Sequence, residues 1–384
     1  MKRRTFLSST AGAAVAAASP TITQAQNARM GRKALVLVGG VNRGAYQAGV
    51  IQALADKNGK HDGDPLDYDV VCGTSIGALN GYFVSTAQYG LLKNLWLGGI
   101  SSRNVFRLKA PYTKIKSVDS GILSRLSAAV SLGTGLTSNV TGVFDPVPVW
   151  AMLDQYIDPS SPVHIPSYIA TTNLTQQRGQ IFVRRATTAL GTQKQSVDDG
   201  LLTRYPIDIT PASDRILRHV YFATACLPLA FDPVEIDVNG DGKEAQYVDG
   251  GVTANAPIGI AQLCAQTVNV VLVDPKSGIP NVHYDNAFDV GTGVFETMQS
   301  RLLLYQILLA FAAGKGSLPF EPSIMRPKTA LPGKLGDFND QTSLTEAWQT
   351  GYNDGQSGWQ KFEFPFGQGM LAPFDHTNGS DSGA

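Results

Sequence analysis

Tyr68-Asp69-Val70-Val71-Cys72-Gly73-Thr74-Ser75-Ile76-Gly77-Ala78-Leu79-Asn80-Gly81 is the stretch whose reading decides the fold. A β-prone run, Tyr68 to Cys72, leads into Gly-x-Ser-x-Gly, and a small-residue segment compatible with a helix follows. Strand, tight turn and helix are the context a nucleophile elbow requires. Gly73 and Gly77 remove side chains where such a turn brings strand and helix backbones together. Ser75 then sits at the helix N-terminus, with its hydroxyl exposed and the helix dipole favouring developing negative charge. Gly-x-Ser-x-Gly also arises by chance, so the reading needs support from the rest of the chain.

Upstream, Ala34 to Val38 is a continuous apolar run, the signature of a strand buried on both faces. Gly39-Gly40-Val41-Asn42-Arg43-Gly44 follows, and Ala45 to Lys57 has helical spacing through Tyr46, Val50, Ile51 and Leu54. A glycine-rich turn opening a helix presents backbone N–H groups to an anion. The spacing is not Gly-x-Gly-x-x-Gly, since Val41 holds the second glycine position, and no acidic residue ends the next strand at the usual offset. Both departures argue against a nicotinamide dehydrogenase. Both turns close the first two strands, at the carboxyl edge where open parallel sheets build their sites.

Downstream, Ser167 to Asn173, Gln180 to Val183 and Val268 to Val273 read as strands, and Phe144-Asp145-Pro146 opens a helical run to Tyr156. Residues 90–141 are long enough for a cap or lid. Ile216 to Phe231 fits a helix ending at Pro228. Asp237 to Glu244 imitates half an EF-hand, but Val248 stands where a bidentate glutamate is needed, so a hairpin turn is the better reading. A strand ends on Asp249, followed by Gly250 and Gly251. Leu302 to Ala313 is too short to span a bilayer and reads as core. Beyond Pro319 the chain is polar and rich in proline and glycine, and its last residues read as a loose tail.

The chain of 384 residues carries 31 basic and 31 acidic side chains, so nothing points to a polyanion and no nucleic-acid partner is expected. Cys72, Cys226 and Cys264 are too few for a disulfide framework and read as buried thiols, although one pair could bridge in an oxidising compartment. Lys2-Arg3-Arg4-Thr5-Phe6-Leu7, the alanine-rich run from Ala11 to Ala18 and Thr23-Gln24-Ala25 read as a twin-arginine signal peptide over residues 1–26, in preference to an ordinary Sec signal or an uncleaved anchor. Cleavage near Ala25 and export to the periplasm or beyond are the expectation, with the twin-arginine machinery as partner.

Three motifs in this order resemble the patatin-like phospholipase family, as a bacterial exported member. The family's oxyanion turn falls on Gly39, Gly40, Val41, Asn42, Arg43 and Gly44, its elbow on Gly73 to Gly77, and its distal Asp-Gly-Gly on Asp249, Gly250 and Gly251. Asn255 and Pro257 are placed as the family places them, and the likeness covers roughly residues 32–275. Val41 departs from the pattern, which has glycine there. Valine keeps the N–H an oxyanion hole uses, but its branched side chain disfavours φ > 0 and narrows the approach.

The resemblance implies an α/β fold, a three-layer α/β/α sandwich around a mainly parallel sheet, occupying residues 32–330 with a partly loose extension over 331–384. It implies a serine lipid acyl hydrolase of the phospholipase A or lipid esterase kind, using a Ser75–Asp249 dyad. N–H groups of Gly39, Gly40, Val41 and Ile76 would form the oxyanion hole, with Arg43 either polarising it or forming a structural salt bridge. The partners implied are a lipid or acyl-ester substrate and a transient membrane surface; no cofactor or metal is required. Two alternatives stay open: a Ser-Asp-His esterase recruiting His283 or His376, and a catalytically weak lipid-binding protein.

Overall fold

Alternation within buried strands builds two cores at once. In β1 (Lys33–Leu37), Leu35 and Leu37 join one hydrophobic cluster while Ala34 and Val36 join another. β2 (Val70–Thr74) separates Val71 from Val70 and Cys72 in the same way. Successive side chains of a strand point to opposite faces, so a run that is apolar at every position must be covered on both sides. The computed structural model describes residues 29–101, 105–109, 142–189, 191–192, 206–275, 297–303, 305–309 and 321–361.

The remaining strands are β3 (Arg107–Leu108), β4 (Phe144–Asp145), β5 (Ser167–Asn173), β6 (Arg178–Arg184), β7 (Pro206–Asp208), β8 (Val234–Ile236), β9 (Ala245–Asp249), β10 (Thr267–Val271), β11 (Glu321–Met325) and β12 (Gln360–Lys361). Among the described residues a ten-stranded sheet runs β12-β11-β10-β1-β2-β5-β6-β7, with the β8–β9 hairpin attached through β9 to the far half of β5. The strands from β11 to β5 are parallel, β12 is antiparallel to β11, β6 is antiparallel to β5 but parallel to β7, and β9 is antiparallel to both β5 and β8. β3 and β4 form a separate ribbon.

On one face lie α1 (Gly44–Lys57), α2 (Ile76–Ser85), α3 (Tyr89–Asn94), α4 (Val147–Tyr156) and α5 (Asp214–Thr224), whose apolar side chains fill the larger cluster. On the other, α6 (Ile258–Cys264) and the helical residues 297–303 and 305–309 bring Ile258, Ala261, Leu303 and Ile307 to the second cluster. The mainly parallel sheet flanked by helices is the α/β architecture expected. Among the described residues no helix is long and apolar enough to cross a membrane.

Three local readings are corrected. Phe144 and Asp145 form a strand rather than the start of α4, which begins at Val147 beneath an Asp145 Oδ1 that accepts the Val147 N–H at 2.9 Å. α5 begins at Asp214, capped by Ser213, whose hydroxyl accepts the Ile216 N–H, and it stops at Thr224 rather than at Pro228. The polar stretch beyond Pro319 supplies β11 to the sheet and a helix, α7 (Gln341–Ser357), capped by Asp340 and packed along α1. Asp237 to Glu244 is the turn of the β8–β9 hairpin, with the Asp237 carboxylate accepting from the Gly240 and Gly242 N–H groups. The three cysteines are buried thiols not joined in a disulfide. The signal segment 1–26, most of the expected lid (102–104 and 110–141), His283, His376 and residues 362–384 lie outside the described residues.

Candidate active site

β5 brings the two ends of the motif series together. Its Ala170 pairs with Thr74 of β2, and the next residue, Thr171, pairs with Asp249 of β9. Ser75 follows Thr74 directly and Asp249 closes β9, so one strand holds both side chains at the same edge of the sheet.

Ser75 has φ 54 and ψ −131, a conformation that side chains of L-residues rarely adopt. Such backbone costs of order 1–3 kcal/mol and persists only where its surroundings enforce it. Here they do. The Ser75 N–H donates to Thr224 Oγ1 at 2.9 Å, and the Thr224 hydroxyl donates in turn to the Ala170 carbonyl at 2.5 Å. A Cβ on Gly77 would lie 2.2 Å from the Leu37 carbonyl oxygen, and one on Gly73 2.6 Å from the backbone of Ala78. Glycine at both positions lets α2 descend onto β1 and turn sharply away from β2. Ser75 itself is 6% exposed.

Asp249 is 1% exposed. Its Oδ1 accepts the Gly251 N–H at 2.7 Å, capping the short 3₁₀ turn Gly250–Val252, while Oδ2 is buried and makes no hydrogen bond. Burial lifts its pKa to about 6, against the opposing pull of the Ser75 hydroxyl and the Gly251 N–H. The hydroxyl stands close enough to act on the carboxylate, although its geometry falls short of a completed hydrogen bond. A carboxylate short of partners beside a serine hydroxyl is poised to take up a proton at near-neutral pH. Gly250 packs against β5, where a Cβ would meet the Ala170 carbonyl at 2.2 Å.

The glycine turn divides its expected donors. Gly39 N–H is committed to the Asn255 carbonyl at 3.2 Å, so Gly39 contributes close approach rather than a donor: a Cβ there would lie 3.3 Å from that of Ser75. Among the described residues the N–H groups of Gly40 and Val41 meet no acceptor. Ile76 heads α2, where an N–H has no partner within its own helix. Val41 takes φ 50, despite the branching that disfavours it. Arg43 Nη1 lies 3.5 Å from Asp274 Oδ1, the ion-pair alternative of the two roles considered for it. Gly44 lets the heads of α1 and α2 touch, a Cβ there meeting Ile76 Cγ1 at 2.5 Å.

A cavity of about 110 Å³ opens beside Ser75, lined by Val41, Ile76, Leu79, Phe106, Phe222, Phe231 and Phe338 among others, and, among the described residues, by no charged side chain. None of the described histidines, His61, His164 and His219, lines it. His219 instead packs on Trp150, with Nδ1 3.2 Å from the Glu235 carbonyl, and burial lowers its pKa. Among the described residues no cluster of three or more His, Cys, Asp or Glu side chains is arranged to hold a metal ion.

The family model described as patatin-like phospholipase matches residues 35–261, more than half of the chain. This chain belongs to the patatin-like phospholipase family. Lipid acyl hydrolysis is the general activity that this patatin-like domain supports. Among solved structures, VipD from Legionella pneumophila is similar at 11% identity over 87% of this chain and 68% of VipD, with a TM-score of 0.37, too distant to support an inference. None of the curated proteins matches.

Sequence reasoning missed three contributors. Thr224, in a stretch noted only for its small residues, braces the Ser75 backbone. Phe338, far beyond the matched segment, walls the cavity. Asn42 donates from Nδ2 to the Lys334 carbonyl at 3.0 Å and accepts the Gly336 N–H on Oδ1 at 2.9 Å, fastening the glycine turn to the C-terminal segment. Asparagine between glycines reads simply as turn former, and nothing in the spacing reveals its distant partner.

Proposed function

We propose that this protein is a serine acyl hydrolase in which Ser75 is the nucleophile and Asp249 its general base, acting on lipid acyl esters. The observation that carries this reading is the pairing of a strained Ser75 with a buried Asp249 whose Oδ2 has no hydrogen bond and whose pKa stands at about 6. Ser75 Oγ attacks the ester carbonyl carbon as Asp249 takes its proton. The carbonyl oxygen becomes an oxyanion, held by N–H groups of Gly40, Val41 and Ile76. Collapse expels the alcohol, which leaves with the proton from Asp249, and Ser75 stays acylated. Water then attacks the acyl carbon, Asp249 again accepts the proton, and the carboxylic acid leaves as the serine is restored. The apolar cavity receives the acyl chain.

The twin-arginine segment supports export before this chemistry begins, with transient docking on a lipid surface bringing substrate to the cavity. Intact-mass spectrometry of the mature protein after treatment with a fluorophosphonate tests the reading. One adduct is expected on the wild type, none on Ser75→Ala, and much slower labelling of Asp249→Asn. Full-rate labelling of Asp249→Asn would remove the dyad. The same spectrum reads the export proposal, since cleavage leaves a chain beginning at Gln26.

A further inference from the structure

The residue that departs from the family pattern also shapes the cavity. Val41 occupies a turn position with φ 50, where glycine would fit without strain, and its half-buried side chain forms part of the wall beside Ser75. Its N–H would serve the oxyanion equally well from a glycine. What valine adds is bulk next to the reacting carbonyl.

An aromatic cluster walls one side of the cavity. Phe106 lies between Phe231 and Phe338, with ring centroids 6.0 and 5.7 Å away, and all three line the cavity. Phe144 packs behind, at 5.2 Å from Phe106 and 5.8 Å from Phe231. A long chain directed at this wall could advance only by displacing rings that pack on one another.

The volume sets the limit. An apolar cavity of about 150 Å³ accommodates benzene, a six-carbon ligand. This one, at about 110 Å³, is smaller. By that comparison it holds roughly four to six carbons of an acyl chain, and each further methylene finds no room there to be buried.

We propose that Val41 and the Phe106–Phe231–Phe338 cluster restrict this hydrolase to short-chain acyl esters of about four to six carbons. The proposal names the substrate class of the Ser75 site and rests on Ser75 being the nucleophile.

The test measures kcat/KM of the full-length mature protein on p-nitrophenyl esters from acetate to palmitate, for wild type, Val41→Gly, Val41→Ala, Phe338→Leu and Ser75→Ala. In the wild type the profile should peak at butyrate to hexanoate and fall at least tenfold by dodecanoate. In Val41→Gly the dodecanoate-to-butyrate ratio should rise about tenfold, with a smaller rise in Val41→Ala and Phe338→Leu. A wild-type profile still climbing at dodecanoate, or a ratio unmoved by Val41→Gly and Phe338→Leu alike, overturns the proposal. Activity that survives in Ser75→Ala overturns the nucleophile reading instead. Calorimetric titration of Ser75→Ala with hexanoate and with palmitate keeps the two separable, because it reads the cavity without the chemistry. Hexanoate binding with palmitate excluded supports the size limit even if no ester is turned over. Palmitate binding as tightly as hexanoate refutes it.

Discussion

The two turns that close β1 and β2 hold their strained residues for different reasons. Both carry a non-glycine residue at positive φ, Val41 at 50 and Ser75 at 54. At Ser75 the strain is inseparable from the function proposed for it, because the sharp turn places a hydroxyl at the head of α2 beside Asp249. At Val41 the turn needs only the N–H, which any residue but proline supplies, and glycine would supply it without strain. Strain accepted without need at the backbone points to the side chain as what the position keeps. The elbow is organised around an oxygen, and the glycine turn around a hydrocarbon wall.

The largest effect expected from breaking this contrast is at the elbow. Ser75→Ala should lower kcat/KM for ester hydrolysis by about 10⁴-fold or more, since a nucleophile has no substitute. Asp249→Asn should cost about 10³–10⁴-fold, the scale seen when an orienting or basic carboxylate is neutralised. For the wild type, kcat/KM should rise about tenfold per pH unit up to about 6, the pKa of Asp249, and then level off.

The same carboxylate makes an opposite prediction for stability. Because burial raises its folded pKa above the ordinary value, the native state holds the proton more tightly than the unfolded chain does. That contribution is full below the unfolded pKa, near 4, and is lost as pH rises through 6. Asp249→Asn should therefore stabilise the protein by about 1–3 kcal/mol at pH 7–8, the advantage vanishing below pH 4. Urea denaturation at the two pH values reads the difference.

Smaller effects separate the turns themselves. Asn42→Ala strands the buried Gly336 N–H and frees the glycine turn, and should cost about 1–3 kcal/mol in urea denaturation. If both backbones are strained as the angles indicate, glycine should beat alanine at 41 and at 75 by about 1 kcal/mol each in the same assay. Equal stability of the glycine and alanine variants at 41 but not at 75 would show that only the elbow is strained.

Much of this was legible in the residues. A continuous apolar run gave β1, largely apolar runs gave β2 and β10, and a stretch carrying Tyr168, Ile169, Thr171 and Thr172 gave β5 with its bounds intact. The order of Gly39, Ser75 and Asp249 announced the family because each motif is a local solution to a backbone problem. α7 was hidden by the same logic. Its Gly351 and Gly355 are poor helix formers in isolation, yet Gly351 and Gly49 are contact points where α1 and α7 touch backbone to backbone, and Gly355 makes room for Ala53. A Cβ on Gly351 or Gly49 would lie 1.9 Å from a carbonyl oxygen of the other helix. Propensity describes a helix in isolation, and here a tertiary contact overrides it. The fate of the Gly39 N–H was equally out of reach, since its acceptor at Asn255 stands more than two hundred positions away in the chain.

The Asn42 hydrogen bonds span 292 and 294 residues, and they carry a consequence for how the protein comes into being. Contacts so remote in sequence form late, because the loop they close must lose its entropy first. The glycine turn cannot be locked until the last third of the chain has docked, whatever the state of the sheet beneath it. During refolding, helical signal should return before esterase activity, and competence to hydrolyse should mark the arrival of the C-terminal segment. A nascent chain still under synthesis would then carry the elbow without the means to use it.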